Sequence, residues 1–306
     1  MAGMENTGIH TGTDQPTLSP ADAAEFAQQL HDTAGPHIGR PPVPVLVYEP
    51  GASLRERREA FRAVYEAVVA RIGEPTLYGG SSGGPNVRWR GSGRLVLLSG
   101  DRQRAQLSVH DTVVLEEEEH RTFEWGGAWT GGEPHDFDFL PYVWQLDRGG
   151  PGERPTSRPG GRLAAGLDHV ESSLELLLAA WVEQLAVQVG TDWTSFCLTS
   201  AADRGRQLLV SYSLEDGLHA SIDDRDAPDG QERAQLMLAR GWQSCDRGWW
   251  QTDFADPDRA DAAALARLVV TELRARGTRE PEELRARDVS CKDRGDMWLP
   301  GLGVRH

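Results

Sequence analysis

The stretch Gln207-Leu208-Leu209-Val210-Ser211-Tyr212-Ser213-Leu214-Glu215-Asp216-Gly217-Leu218-His219-Ala220-Ser221-Ile222 decides the fold. Leu208, Val210, Tyr212 and Leu214 fall on one side of a strand, and Leu218, Ala220 and Ile222 carry the same alternation onward. A two-residue loop at Asp216-Gly217 would mix the faces of the two strands. A three-residue loop, Glu215 to Gly217, sets Leu214 opposite Leu218, Tyr212 opposite Ala220 and Val210 opposite Ile222. It also puts Gly217 where such loops take a left-handed residue. The pattern predicts an antiparallel hairpin with one buried face.

Downstream, Gln231 to Arg240 predicts a short helix that Gly241 can end in the left-handed conformation. Trp242 starts a strand, Arg247-Gly248 reads as a turn, and Trp249 to Phe254 as the next strand. Asp256-Pro257 supplies a cap with proline at the first helical position, after which Leu265, Leu268, Val269 and Leu273 recur at helical spacing. Burying those side chains contributes roughly 6 to 12 kcal/mol before ordering entropy, which favours a docked helix. Pro281 to Arg287 predicts one more short helix, and Met297-Trp298-Leu299-Pro300-Gly301 a tail laid over the core, anchored by Trp298 and Leu299.

Upstream, residues 1–18 read as disordered, Ser19-Pro20 starts a helix that carries Phe26 and Leu30, and Arg40 to Pro44 forms an extended strap. Ser53 caps a strong helix from Leu54 to about Ile72, with Phe61, Val64, Tyr65 and Val68 on one side. Strands follow near Thr76 to Tyr78, Asn86 to Arg90, Arg94 to Leu98 and Arg104 to His110. A three-residue loop at Gly91-Ser92-Gly93 sets Trp89 opposite Leu95 and Val87 opposite Leu97, and gives Gly93 the place that Gly217 has later. That likeness hints at two related units. Glu116 to Glu119 reads as a short exposed helix or an acidic strand edge, and Phe123-Glu124-Trp125 and Tyr142 to Leu146 as strands. A helix from Leu167 to Val187 has apolar residues on more than one flank, open to the first unit, a second copy of the chain in a homodimer, or a ligand. Trp193 to Thr199 supplies the next strand.

The expected fold class is α+β, in two units that each pack an antiparallel sheet against helices. Residues 1–45 form the tail, short helix and Pro-rich strap; 46–146 the N-terminal unit; 147–162 a linker rich in Gly, Pro, Arg and Ser; and 163–306 the C-terminal unit. At 306 residues the chain is long enough for two cores.

Composition excludes more chemistry than it offers. The net charge is −15, from 47 acids against 32 bases, and an acidic surface of that kind argues against nucleic acid and anionic lipid as partners. Cys197, Cys245 and Cys291 make no C-x-x-C pair, which suits a reducing compartment and gives no zinc framework. No apolar run approaches the length of a membrane span, so the expectation is a cytoplasmic protein. Gly79-Gly80-Ser81-Ser82-Gly83 matches G-x-S-x-G, but a strand rather than a helix follows, so it reads as a hairpin loop. The sole lysine, Lys292, follows no glycine loop, which excludes a P-loop. His110-Asp111, His120 and His135-Asp136-Phe137-Asp138 lack the spacing of metal ligands, His219 lies on the polar face of the hairpin, and Asp223-Asp224-Arg225-Asp226 lacks the glycine and glutamate of a calcium loop. No catalytic residue, metal or cofactor is assigned.

Trp249-Trp250 is the feature that points outward. Adjacent strand residues face opposite ways, so one ring enters the near core and the other is covered by a helix, another subunit or a bound segment.

Residues 167–276 read helix, three strands, helix, two strands, helix. That order resembles the type III secretion chaperone and YbjN-like superfamily. Leu238-Ala239-Arg240-Gly241-Trp242, Trp249-Trp250, Leu268-Val269-Val270 and Leu299-Pro300-Gly301-Leu302 are similar to phrases in actinobacterial peptide-binding chaperones of that group. Leu77-Tyr78-Gly79-Gly80-Ser81 and Phe123-Glu124-Trp125-Gly126 look like an uncharacterised actinobacterial family found beside such domains. The resemblance implies a non-enzymatic protein that holds an extended client peptide, with Tyr212, Trp242, Trp249 and Trp250 as its contacts and acidic surroundings favouring basic clients. The alternative is an immunity or antitoxin-like inhibitor of a single protein partner.

Overall fold

The computed structural model describes residues 18–33, 35–125, 140–147, 163–203, 206–225, 230–245 and 248–306. The expectations for the N-terminal tail, for His135 to Asp138 and for most of the linker lie outside these residues.

The chain is α+β. Its helices are α1 (Pro20–Asp32), α2 (Leu54–Ile72), α3 (Thr112–Trp125), α4 (Leu167–Ala180), α5 (Ala186–Val189), α6 (Gln231–Ala239) and α7 (Arg259–Ala275). A π-helical segment, Trp181–Leu185, joins α4 to α5. The strands are β1 (Val43–Val47), β2 (Leu77–Gly80), β3 (Asn86–Arg90), β4 (Leu95–Gly100), β5 (Arg104–His110), β6 (Trp144–Asp147), β7 (Thr194–Ser200), β8 (Leu208–Ser213), β9 (Gly217–Asp223), β10 (Gln243–Ser244), β11 (Trp249–Phe254), β12 (Leu284–Cys291) and β13 (Gly295–Trp298).

These strands form one 13-stranded sheet in the order β1-β5-β4-β3-β2-β6-β13-β12-β7-β8-β9-β11-β10. The two sheets expected of two units are thus halves of one. The join is β13, which pairs with β6 through Met297↔Leu146 and Trp298↔Gln145 and with β12 through Ser290↔Asp296 and Cys291↔Gly295. The strap around Pro44 is the edge strand β1, laid antiparallel on β5. A proline is tolerated there because one side of an edge strand needs no donor.

Local signals account for the helix ends. Ser53 and Glu56 form a reciprocal capping box on α2. On α7 the cap is Asp258, two residues past the expected Asp256, because Asp258 and Asp261 satisfy each other's backbone N–H groups. Phe123 to Trp125 belongs to α3 rather than a strand. The acidic run is helical, with Glu117 and Glu118 exposed, but its other two acids are engaged: Glu119 takes Arg88 through two bonds of 2.8 and 2.6 Å, and Glu116 pairs with Arg90. Val87 and Trp89 alternate with those arginines and face the core on the other side.

Both hairpin registers differ from the expectation. The first pairs Trp89↔Val96 and Arg90↔Leu95, with Gly91 to Arg94 as the loop. Leu95 to Leu98 are all buried, so the apolar pattern is the same on both faces and cannot fix the register. The second pairs Tyr212↔Leu218 and Val210↔Ala220, with Leu214 to Asp216 as the loop. A two-residue slide leaves every face unchanged, so only turn chemistry decides it. Ser213 Oγ accepts from Asp216 N at 2.9 Å and closes the turn one pair earlier.

The α4–π–α5 rod ties the halves together. Gln188 accepts from Gly79 N and donates to Gly79 O, each at 2.9 Å, while Gln184 Nε2 donates to Ser81 O at 3.1 Å. On its other side the rod packs on α7. The wide apolar surface of this helix is covered by both halves of its own chain.

Candidate functional site

The closing segment read as a short helix is a 3-10 turn at Pro281–Glu283 followed by β12. Leu284 and Ala286 point inward while Arg285 and Arg287 are exposed, the alternation of a strand. Arginine and alanine are good helix formers, so the residue types mask the alternation. On one side β12 pairs with β7 from Leu284 to Cys291. On the other side β13 accompanies it only at Ser290 and Cys291, then turns away to β6.

The sheet therefore splits. Between the diverging strands lies a groove of about 940 Å³, walled by Arg285, Arg287, Met297, Trp298, Arg305 and His306 among others. Among the described residues, no strand pairs with Arg287, Asp288 or Val289 on the groove side. Asp288 has a positive φ of 52°, at the point where the β12–β7 register shifts. Such bulges re-aim a strand and end its pairing.

The chain's own C-terminus enters this groove. Arg305 bridges Arg285 in parallel, and Ala286 N donates to Arg305 O at 2.7 Å. His306 Nε2 lies 3.1 Å from Leu299 O. Exposed Arg285, Arg287 and Arg305 make no ion pair among the described residues, and Asp288 and Asp296 line the same groove, so its wall carries both signs with one arginine in excess. Met297 and Trp298 lie buried at its base, Trp298 tilted against Phe123 at 5.5 Å and edge-on to Tyr142 at 5.4 Å between ring centres.

The aromatic residues singled out in the sequence lie elsewhere. Tyr212 and Trp242 are core side chains, 2% and 1% exposed, and cannot touch a peptide as placed; Tyr212 donates to Val182 O beneath the π segment. Trp250 is buried at 8%, and Trp249 is half-buried under the Arg225 guanidinium, 5.4 Å from its ring centre. β11 is four strands from β12, roughly 19 Å at ordinary strand spacing, so Trp249 is remote from the groove.

The remaining motifs are structural. Ser81 Oγ accepts from Gly83 N and Gly84 N, so the G-x-S-x-G match is a turn between β2 and β3. Asp224 is surrounded by Arg206, Arg233 and Arg276, and Asp223 pairs with Arg225; Asp226 lies outside the described residues. His219 pairs with Asp253 across the β9–β11 ladder at 2.6 Å. Cys291 Sγ lies 3.0 Å from Asp192 Oδ2, and burial together with that carboxylate pushes its thiol up, away from reactivity. Among the described residues no cluster of ligands could hold a metal, and no helix is long and apolar enough to cross a membrane. No protein-family model, curated protein or solved structure matches this chain.

Proposed function

We propose that the protein is a non-enzymatic holder of an extended peptide, as its resemblance to the secretion-chaperone and YbjN-like group implies, and that the client segment lies in the groove between β12 and β13. The observation that carries this reading is the bond from Ala286 N to Arg305 O. There the free edge of β12 takes an extended segment, the chain's own last residues, by main-chain pairing. A client would continue that pairing over Arg287 to Val289. Arg285, Arg287 and Arg305 outnumber Asp288 and Asp296 in the groove, so this reading favours acidic segments there, whereas net charge alone favours basic clients.

The test is fluorescence anisotropy with extended acidic peptides and with lysine-substituted copies of the same length. Acidic peptides are expected to bind more tightly than the lysine-substituted copies, and Arg285→Glu and Arg287→Glu each to weaken them. Hydrogen exchange should slow at residues 286–289 in the complex. Binding that ignores both changes and protects none of these amides removes the reading.

A further inference from the structure

Trp298, at the base of the groove, belongs to a triangle of rings. Phe123 of α3 and Tyr142, on the approach to β6, lie 5.5 and 5.4 Å from it and 4.7 Å from each other, centre to centre. Over the Tyr142 ring stands the buried Arg88 guanidinium, 5.1 Å from its centre. Arg88 Nη1 and Nη2 donate to Glu119 at 2.8 and 2.6 Å, and its Nε donates to Asn86 Oδ1 at 2.8 Å. Asn86 Nδ2 in turn donates to Pro141 O at 3.0 Å. The arginine therefore fixes Tyr142 twice, through its ring and through the carbonyl of the residue before it.

The β12–β13 hairpin carries its own means of closing the groove. Its pairs Cys291↔Gly295 and Ser290↔Asp296 would run on in the same register to Val289↔Met297, Asp288↔Trp298 and Arg287↔Leu299. Those pairs would cover the edge that the groove leaves open. Among the described residues none of them forms: Met297 and Trp298 pair with Leu146 and Gln145 of β6, and the positive φ of Asp288 turns β12 aside at the same level. Tyr142 leads into β6, and Glu119 ties α3 to β3. The ring triangle thus draws Trp298 toward that half of the sheet and away from β12.

We propose that Arg88 is a positioning residue of the groove: by seating Tyr142 against Trp298 it keeps β13 on β6 and the edge of β12 uncovered. The consequence for clients rests on the peptide-holding reading, whereas the geometry of the edge does not. A neighbouring ion pair separates this role from general support. Arg90 and Glu116 also join β3 to α3, yet Arg90 stands over no aromatic ring among the described residues. Loss of the Arg88 pair should therefore release Trp298, and loss of the Arg90 pair should not.

The test measures hydrogen exchange at residues 287–289 in the full chain. Arg88→Met with Glu119→Leu removes both ions together and leaves no buried charge behind. Tyr142→Leu keeps the ions and removes the ring that joins them to Trp298, which decides the matter should the double variant fail to fold. Each is expected to slow exchange at residues 287–289 about tenfold as β13 covers the edge, while Arg90→Met with Glu116→Leu leaves it at the wild-type rate. Acidic peptides, followed by fluorescence anisotropy, should bind the first two variants about tenfold more weakly and the third as they bind wild type. Unchanged or faster exchange in the first two variants, or equal slowing in the Arg90 variant, overturns the proposal. Slowed exchange with no peptide bound by wild type or by any variant sustains the positioning role and removes the client reading instead.

Discussion

Arg57, on the first turns of α2, and Glu183, in the π-helical segment 126 positions later, form an ion pair in which both side chains are almost completely buried. The pair joins the two halves of the chain. It is accompanied by Arg58, which donates to Val182 O at 3.4 Å, and by the two glutamines of the same rod. Here an α-helix would have turned the chain differently; the wider π turn carries Glu183 toward Arg57 and Val182 O toward Arg58 and Tyr212.

Removing one member of this pair leaves an uncompensated buried charge. Glu183→Ala is expected to cost roughly 3 to 5 kcal/mol, and the double variant Arg57→Met with Glu183→Leu much less, because the ions are then removed together. Urea denaturation of the single and double variants checks this. A single variant within about 1 kcal/mol of wild type would mean that the pair is solvated rather than buried.

The same carboxyl should impose a pH dependence. Burial holds Glu183 up at about 7 from an ordinary 4.5, against the lowering pull of Arg57, Arg259 and Arg102. Between those values the folded chain keeps a proton that the unfolded chain has released. Folding therefore binds protons in that window, so this contribution to stability falls as pH rises from about 4.5 to 7 and is level above it. Glu183→Gln, neutral throughout, should flatten that part of the curve. Melting temperatures of both proteins across the window decide the matter, and the assignment fails if the two slopes coincide.

The two adjacent tryptophans should respond unequally. Trp250 belongs to the core, so Trp250→Ser is expected to lose roughly 3 to 5 kcal/mol. Trp249 keeps one side open and mainly loses the Arg225 contact, worth about 1 kcal/mol or less. Chemical denaturation of each variant distinguishes them. Equal losses would show that both rings are sealed inside.

What could be read in the sequence follows from how many faces of each element are buried. The caps on α2 and α1, the limits of β5 and β11, and the element order from α4 to α7 all follow from one-sided patterns or local hydrogen bonds. The register of β4 was hidden because Leu95 to Leu98 are buried on both faces. β12 was hidden because its exposed alternate residues are arginines, and β13 because it spans only Gly295 to Trp298. Those two strands make the groove, so the candidate site was the least legible part of the chain. Trp298 was recognised as an anchor, but its strand was not.

Two glycines that look alike in sequence should separate under substitution. Gly217 has φ +77° and pairs with Ser213, and a Cβ added there would lie 2.0 Å from Phe254 O on the neighbouring strand. Alanine would carry the left-handed penalty of about 1 to 2 kcal/mol and would also push β11 away, straining the Phe254↔Leu218 pair. Gly93 occupies the outwardly similar loop after β3, yet a Cβ there meets nothing within 4 Å and its backbone is not left-handed. Gly93→Ala is therefore expected to stay within about 0.5 kcal/mol of wild type and Gly217→Ala to lose more than about 2 kcal/mol, both measured by urea denaturation. Gly93 lies inside its loop and Gly217 at the first pair of β9, so the comparison reads the combined effect of that pairing, the approach of β11 and the sign of φ. Similar losses at both positions would mean that the β9–β11 contact is looser than the 2.0 Å approach requires.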